Sequence, residues 1–186
     1  EVSREIASYS VNMGKKFGIS AKLISKDIGK MTADFEHFGT LGPKVMSQIA
    51  VQTRRLGLEV KDLTGLIDKW DNFEDAAKGA GALAQTFGMN IDAMKMMKEQ
   101  DPAARLSMLQ KAFQATGKSI EDMDRQELKL LATQSNMSME AASLAFSQKG
   151  LGMSYDEVTK AGAQGEKKQL TQAEAMDKLA SSIERV

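Results

Sequence analysis

Apolar residues recur along this chain every three or four positions, the spacing that lines one face of an α-helix, and strand-like alternation is missing. Ile24, Ile28, Met31, Phe35 and Phe38 form the clearest run, and their spacing predicts one continuous buried stripe. The same rhythm returns at Val60, Leu63, Ile67 and Trp70, and again at Phe73, Ala77, Ala80, Ala84 and Phe87. Each set is expected to be the buried face of a short helix.

The breaks between these runs resemble one another. Phe17-Gly18-Ile19-Ser20, Leu56-Gly57-Leu58-Glu59, Phe87-Gly88-Met89-Asn90, Thr116-Gly117-Lys118-Ser119, Asn136-Met137-Ser138 and Gly152-Met153-Ser154 share a grammar. Gly or Asn takes the left-handed conformation that closes a helix, an apolar residue folds back on the last turn, and Ser or Asn caps the next helix. Asp101-Pro102 places a cap before a first-turn proline, and Ser154 with Glu157 and Thr171 with Glu174 have capping-box spacing. The expectation is an all-α chain of about nine helices joined by tight Gly- or Asn-capped turns of about two to five residues. Because the breaks keep no fixed period, they predict stacked helical hairpins or an irregular bundle rather than a solenoid. Residues 1–150 are expected to form one helical module, with 151–186 as C-terminal amphipathic helices leading into the rest of a longer chain.

With 42% hydrophobic and 27% charged residues, the 186-residue chain can bury a core. It lacks cysteine, which removes disulfides and thiolate metal sites and fits synthesis in a reducing cytoplasm. No apolar run approaches the roughly 18 residues of a membrane span. Acidic and basic residues balance at 25 each, so nucleic acid is not among the expected partners. The charge is uneven, however: residues 1–58 carry nine basic and five acidic side chains, residues 59–101 five and nine. Opposed halves of this kind suit packing on each other or on neighbouring copies.

Little in the sequence assembles into familiar catalytic chemistry, and no enzyme activity, cofactor or metal is expected. The lone His37 sits beside Phe38 and Gly39 near a helix end, where a cap or packing role outweighs that of a base, and no nucleophile-elbow motif supports a Ser-His-Asp triad. Glu121, Asp122 and Asp124 lack the alternating ligands of a calcium loop and suit a helix first turn. The run from Gly79 to Ala84 matches the letters of a dinucleotide fingerprint but follows a helical pattern, so its small residues are read as a place where another helix comes close.

Two candidate interaction surfaces stand out. Lys22, Lys26 and Lys30 fall at i, i+4 and i+8 after Gly18 and make one basic stripe. The Gly18 and Gly57 junctions each look like the turn of a helix-turn-helix, which makes a DNA-binding or regulatory module the alternative reading, although the helix after Gly57 is electrically neutral. Thirteen methionines are many, and the cluster Met94, Met96 and Met97 would give residues 91–98 an adaptable contact face, with irregular core filling as the competing use.

The run Met89-Asn90-Ile91-Asp92-Ala93-Met94, then Glu99 to Leu106 and Lys111-Ala112-Phe113, resembles a segment of the tail tape-measure proteins of large tailed bacteriophages. Gly42 to Leu63 and Ser119 to Met123 look like the same family, and the resemblance spans roughly residues 15–145. It implies a virion structural segment, made in a bacterial cytoplasm, that associates with copies of itself and with tail-tube or baseplate-hub proteins. The implied role is in tail-length determination, assembly and genome ejection. A continuous helix advances about 1.5 Å per residue, so chain length can set tube length. The repeated glycine breaks forbid one straight rod here and predict a compact module near an end of the ruler or at the hub.

Overall fold

A computed structural model of the chain describes residues 1–163, and these are all-α, with no strand among them. The helices are α1 (Val2–Phe17), α2 (Ala21–Ala33), α3 (Phe35–Phe38), α4 (Pro43–Arg55), α5 (Val60–Trp70), α6 (Phe73–Phe87), α7 (Ala93–Lys98), α8 (Pro102–Ala115), α9 (Arg125–Ser135), α10 (Met139–Ala145) and α11 (Gln148–Leu151). A 3-10 turn at Ile120–Asp122 precedes α9, and α12 opens at 155 and continues through 163. The described residues thus exceed the nine helices expected, because α3, α7 and α11 are too short for periodicity to resolve.

The junction grammar holds at five of its six places. Gly18, Gly57, Gly88 and Gly117 have φ between 68° and 75°, and Asn136 is the one non-glycine residue with positive φ among the described residues. The residue after the break returns its N–H to the preceding turn: Ile19 to Gly14 O at 3.0 Å, Leu58 to Thr53 O at 2.9 Å and Met137 to Ala132 O at 2.9 Å. Gly152 departs, with φ −73° in the right-handed region, since the single turn of α11 closes there without reversing hand. The caps also differ in part. Ser138 caps α10 and Asp101 caps α8 as expected, but α7 is capped by Asp92 rather than Asn90, and Ser20 makes no side-chain cap bond. Glu157 turns away from Ser154 to meet Arg55. The Thr171–Glu174 pair lies outside the described residues.

Two helices run through the middle. α4 buries eight consecutive residues, Met46 to Thr53, and packs on α1, α2 and α8. α8 buries a wide face, from Pro102 and Ala103 through Leu106 and Leu109 to Phe113, and meets α4, α5 and α11. Such helices have a buried face much wider than the stripe of a surface helix, and α8 keeps Lys111, Gln114 and Ala115 exposed on its outer side. α1 and α2 close one side, and α6, α7, α9 and α10 the other. The result is an irregular bundle.

Ile24, Ile28, Met31 and Phe38 are buried, whereas Phe35 is 78% exposed. The expected continuous stripe breaks at Asp34, where φ −96° and ψ 75° interrupt the helix and reset its face. The α5 set, Val60, Leu63, Ile67 and Trp70, is buried as expected. In α6 the buried line is Ala76, Gly79, Ala80, Leu83 and Phe87, while Phe73, Ala77 and Ala84 face outward. Phe73 follows the cap Asn72 directly, on the outer side of the first turn. Residues 151–163 do not form a separate unit, for Tyr155, Val158 and Ala161 enter the same core.

Candidate functional site

α2 presents two opposite faces. Ile24, Ile28 and Met31 are fully buried, while Lys22, Lys26 and Lys30 are all exposed, so the expected basic stripe is a surface ridge. Asp27, the one acidic residue of this helix, points inward and is 4% exposed. Its carboxylate accepts two bonds from Arg54 of α4, from Nε at 2.8 Å and Nη2 at 3.0 Å, the bidentate geometry that makes a burial of charge tolerable. Gly29 also lies on the exposed side, and a Cβ built there would meet nothing within 4 Å. After Gly57 the charges cancel locally, with Lys61 Nζ 3.0 Å from Glu59 Oε2.

The methionine cluster divides. Met96 is fully buried and belongs to the core, Met97 is half-buried, and Met94 is 43% exposed. The three therefore do not make one surface, because six-residue α7 turns its middle inward against α5 and α6. Beside α7 a cleft of about 590 Å³ opens, floored by Ile91, Met108 and Ala112 and edged by Lys95 and Lys111. Lys111 Nζ is 3.1 Å from Asp156 Oδ2.

Buried polarity is concentrated on bonds between helices, and its centre is Arg105 of α8, 1% exposed. Nε donates to Met96 O at 2.9 Å and Glu99 O at 2.7 Å, Nη1 to Ile67 O at 3.2 Å, and Nη2 to Met97 O at 3.1 Å and Asp71 Oδ1 at 2.7 Å. One guanidinium thus gathers carbonyls at the C-terminal ends of α5 and α7, sharing Ile67 O with the N–H of Asp71 and Met96 O with the N–H of Glu99. Gln110 Nε2 serves Ala145 O at 2.8 Å, Gln52 Nε2 serves Met153 O at 2.7 Å, Arg55 Nη1 serves Ser154 O at 3.2 Å and Asn136 Nδ2 serves Gly65 O at 2.9 Å. Nothing in the hydrophobic pattern marks these residues. The available signal is that α8 is almost uncharged, so its single arginine stands out in a largely apolar helix.

His37 is more than a cap. Its Nδ1 lies 2.8 Å from Asp34 Oδ2 and its Nε2 2.9 Å from Asp68 Oδ1, so it clips α3 to α5. A neutral imidazole donates from one nitrogen only, so carboxylates on both sides call for the imidazolium. Burial pulls its pKa down, but the bonds to Asp34 and Asp68 and their charges prevail and raise it. Asp101 accepts the Tyr155 hydroxyl at 2.5 Å and the N–H groups of Ala103 and Ala104. Burial lifts its carboxyl to about 6, against the opposing pull of those three bonds.

Glu121 accepts from the Ser119 hydroxyl in the 3-10 turn and Asp124 caps α9 through Glu127 N, so the acidic cluster is spread over two starts. Among the described residues no group of three or more His, Cys, Asp or Glu side chains is placed to hold a metal ion, and no helix is long and apolar enough to cross a membrane. Gly79 of the fingerprint-like run is a close-approach site: a Cβ there would stand 3.2 Å from Trp70 Cη2. No protein-family model, curated protein or solved structure matches this chain.

Proposed function

We propose that this chain is a structural segment of a phage tail tape-measure protein, working by helix packing within the tail tube or at the baseplate hub. The observation that carries the reading is the use made of the resemblance-bearing run. Between Met89 and Phe113, the buried polar chemistry is spent on holding helix ends together through Arg105, Asp101 and Gln110. That is the chemistry of a load-sharing body. Phe35, Phe73 and Met94, at 78%, 55% and 43% exposure, offer apolar contact points for further copies or for tube and hub proteins. The left-handed junctions keep the segment folded back on itself, which favours a compact module at an end of the ruler over a stretch that measures length.

Mass spectrometry of purified tailed particles from the phage or prophage that encodes the chain is expected to recover peptides of residues 1–163, and a density map to place a helical body in the lumen or hub. Particles that assemble with normal tails and contain none of these peptides would refute the proposal.

A further inference from the structure

We infer that the outer face of the α1–α2 hairpin is a sequence-independent seat for the phosphodiester backbone of nucleic acid. Zero net charge over the whole chain argued against such a partner, but the structure separates what the average conceals. Residues 6–33 contain Lys15, Lys16, Lys22, Lys26 and Lys30 and a single acid, Asp27. That acid is buried and taken by Arg54, so the face of α2 that meets solvent is wholly positive.

The geometry suits a line of charge. Lys22 to Lys30 covers eight residues, about 12 Å of helix, and one strand of duplex DNA offers a phosphate every 3.4 Å or so of axis, so the ridge spans about three. Bare Gly29, between Lys26 and Lys30 on this face, lets a backbone come close. α2 carries no Arg, Asn or Gln, and its exposed lysines are flexible point charges without a planar fork, which favours a contact of charge over one of sequence. This differs from the base-reading helix-turn-helix that the junctions alone suggest.

A second copy of the chain is a poorer occupant. Four exposed acids of the neighbouring α5–α6 region are engaged at home: Asp68 with His37, Asp71 with Arg105, Glu74 with Lys78, and Glu59, which also lies near Lys30, with Lys61.

The test is fluorescence anisotropy of the whole chain with two unrelated short duplexes of equal length. Both are expected to bind equally, and with three phosphates neutralised the affinity should fall about 40-fold between about 50 and 200 mM salt. Lys22→Glu, Lys26→Glu and Lys30→Glu together should abolish binding while the helical circular dichroism is kept, and the same three changed to Arg should restore it. No binding at low salt, binding unaffected by the triple Glu variant, strong preference for one duplex, or binding only to phosphatidylserine vesicles would each overturn the inference. It does not depend on the tail-segment reading, since the outcome is read on the isolated chain and says nothing of particle composition.

Discussion

Arg105 Nη2 donates to Asp71 Oδ1 at 2.7 Å, joining the central helix α8 to the residue that closes α5. The two partners are unequal: the guanidinium is 2% exposed and the carboxylate 57%. Arg105 also holds four carbonyls, so most of its value lies in that carbonyl set and not in the ion pair. Arg105→Met is expected to cost about 2–4 kcal/mol, through buried carbonyls left short of a donor. Asp71→Ala, which removes a solvent-screened partner, should cost less than about 1 kcal/mol. Urea denaturation of both variants measures the contrast, and equal losses would show that the ion pair, and not the carbonyl set, carries the effect.

His37 gives the fold a pH dependence whose sign follows from its raised pKa. Its contribution is fully present below the ordinary value of 6.5 and is lost as the pH rises through the higher folded value. The urea midpoint should therefore fall between about pH 6 and alkaline pH, and Asp68→Asn should flatten that fall. As the single histidine of the chain, His37 can be titrated by NMR without assignment. An apparent pKa below 6.5 would contradict the two-sided clip.

A second window lies lower. Asp101 is raised from 3.8 to about 6, so its neutral form is favoured by folding, and its contribution is lost as the pH rises from about 4 towards 6. Asp101→Asn keeps an oxygen for the α8 amides and cannot ionise, so its stability relative to the parent should improve across that interval. Tyr155→Phe, which removes a bond that favours the carboxylate, should move the window upward. Matched pH series of denaturation curves separate the two.

Two mid-helix glycines should respond in opposite directions to alanine. At Gly65 of α5 a Cβ would stand 2.1 Å from the backbone oxygen of Asn136, a clash that neither element can relieve by a rotamer change. Gly65→Ala is expected to cost about 2 kcal/mol or more. At Gly81 of α6 a Cβ meets nothing, and Gly81→Ala should add about 0.5–1 kcal/mol through helix propensity and a less free unfolded chain. Thermal melts suffice to decide both.

The helical class and the positions of the left-handed turns were legible because both are local. A glycine that ends an apolar run is a local signal of its own conformation, and four of the five predicted glycine breaks are left-handed. Faces were less legible where a stripe was counted across an unseen interruption. Asp34 breaks α2 from α3 and turns Phe35 out, and counting α6 from Phe73 rotates the expected face so that Ala80 and Phe87 fall on the buried line while Phe73, Ala77 and Ala84 do not. Arg105, Gln110 and Gln52 left little trace in the hydrophobic pattern, since most of their partners are carbonyls 6 to 101 positions away, which carry no side-chain signature. The lysine ridge was visible as spacing, but its unbalanced sign depends on where Asp27 points.

The tying of helix ends by side chains from elsewhere has a consequence for how the molecule breathes. In an isolated helix the last turn opens freely and its amides trade hydrogen with water long before the middle does. Here loosening the end of α5, α7 or α10 means releasing a glutamine or arginine rooted in α8, so a small opening at one place draws on the centre of the bundle. Amide exchange should therefore slow at these termini to nearly the pace of the interior, and the bundle should yield as one block instead of peeling from its ends.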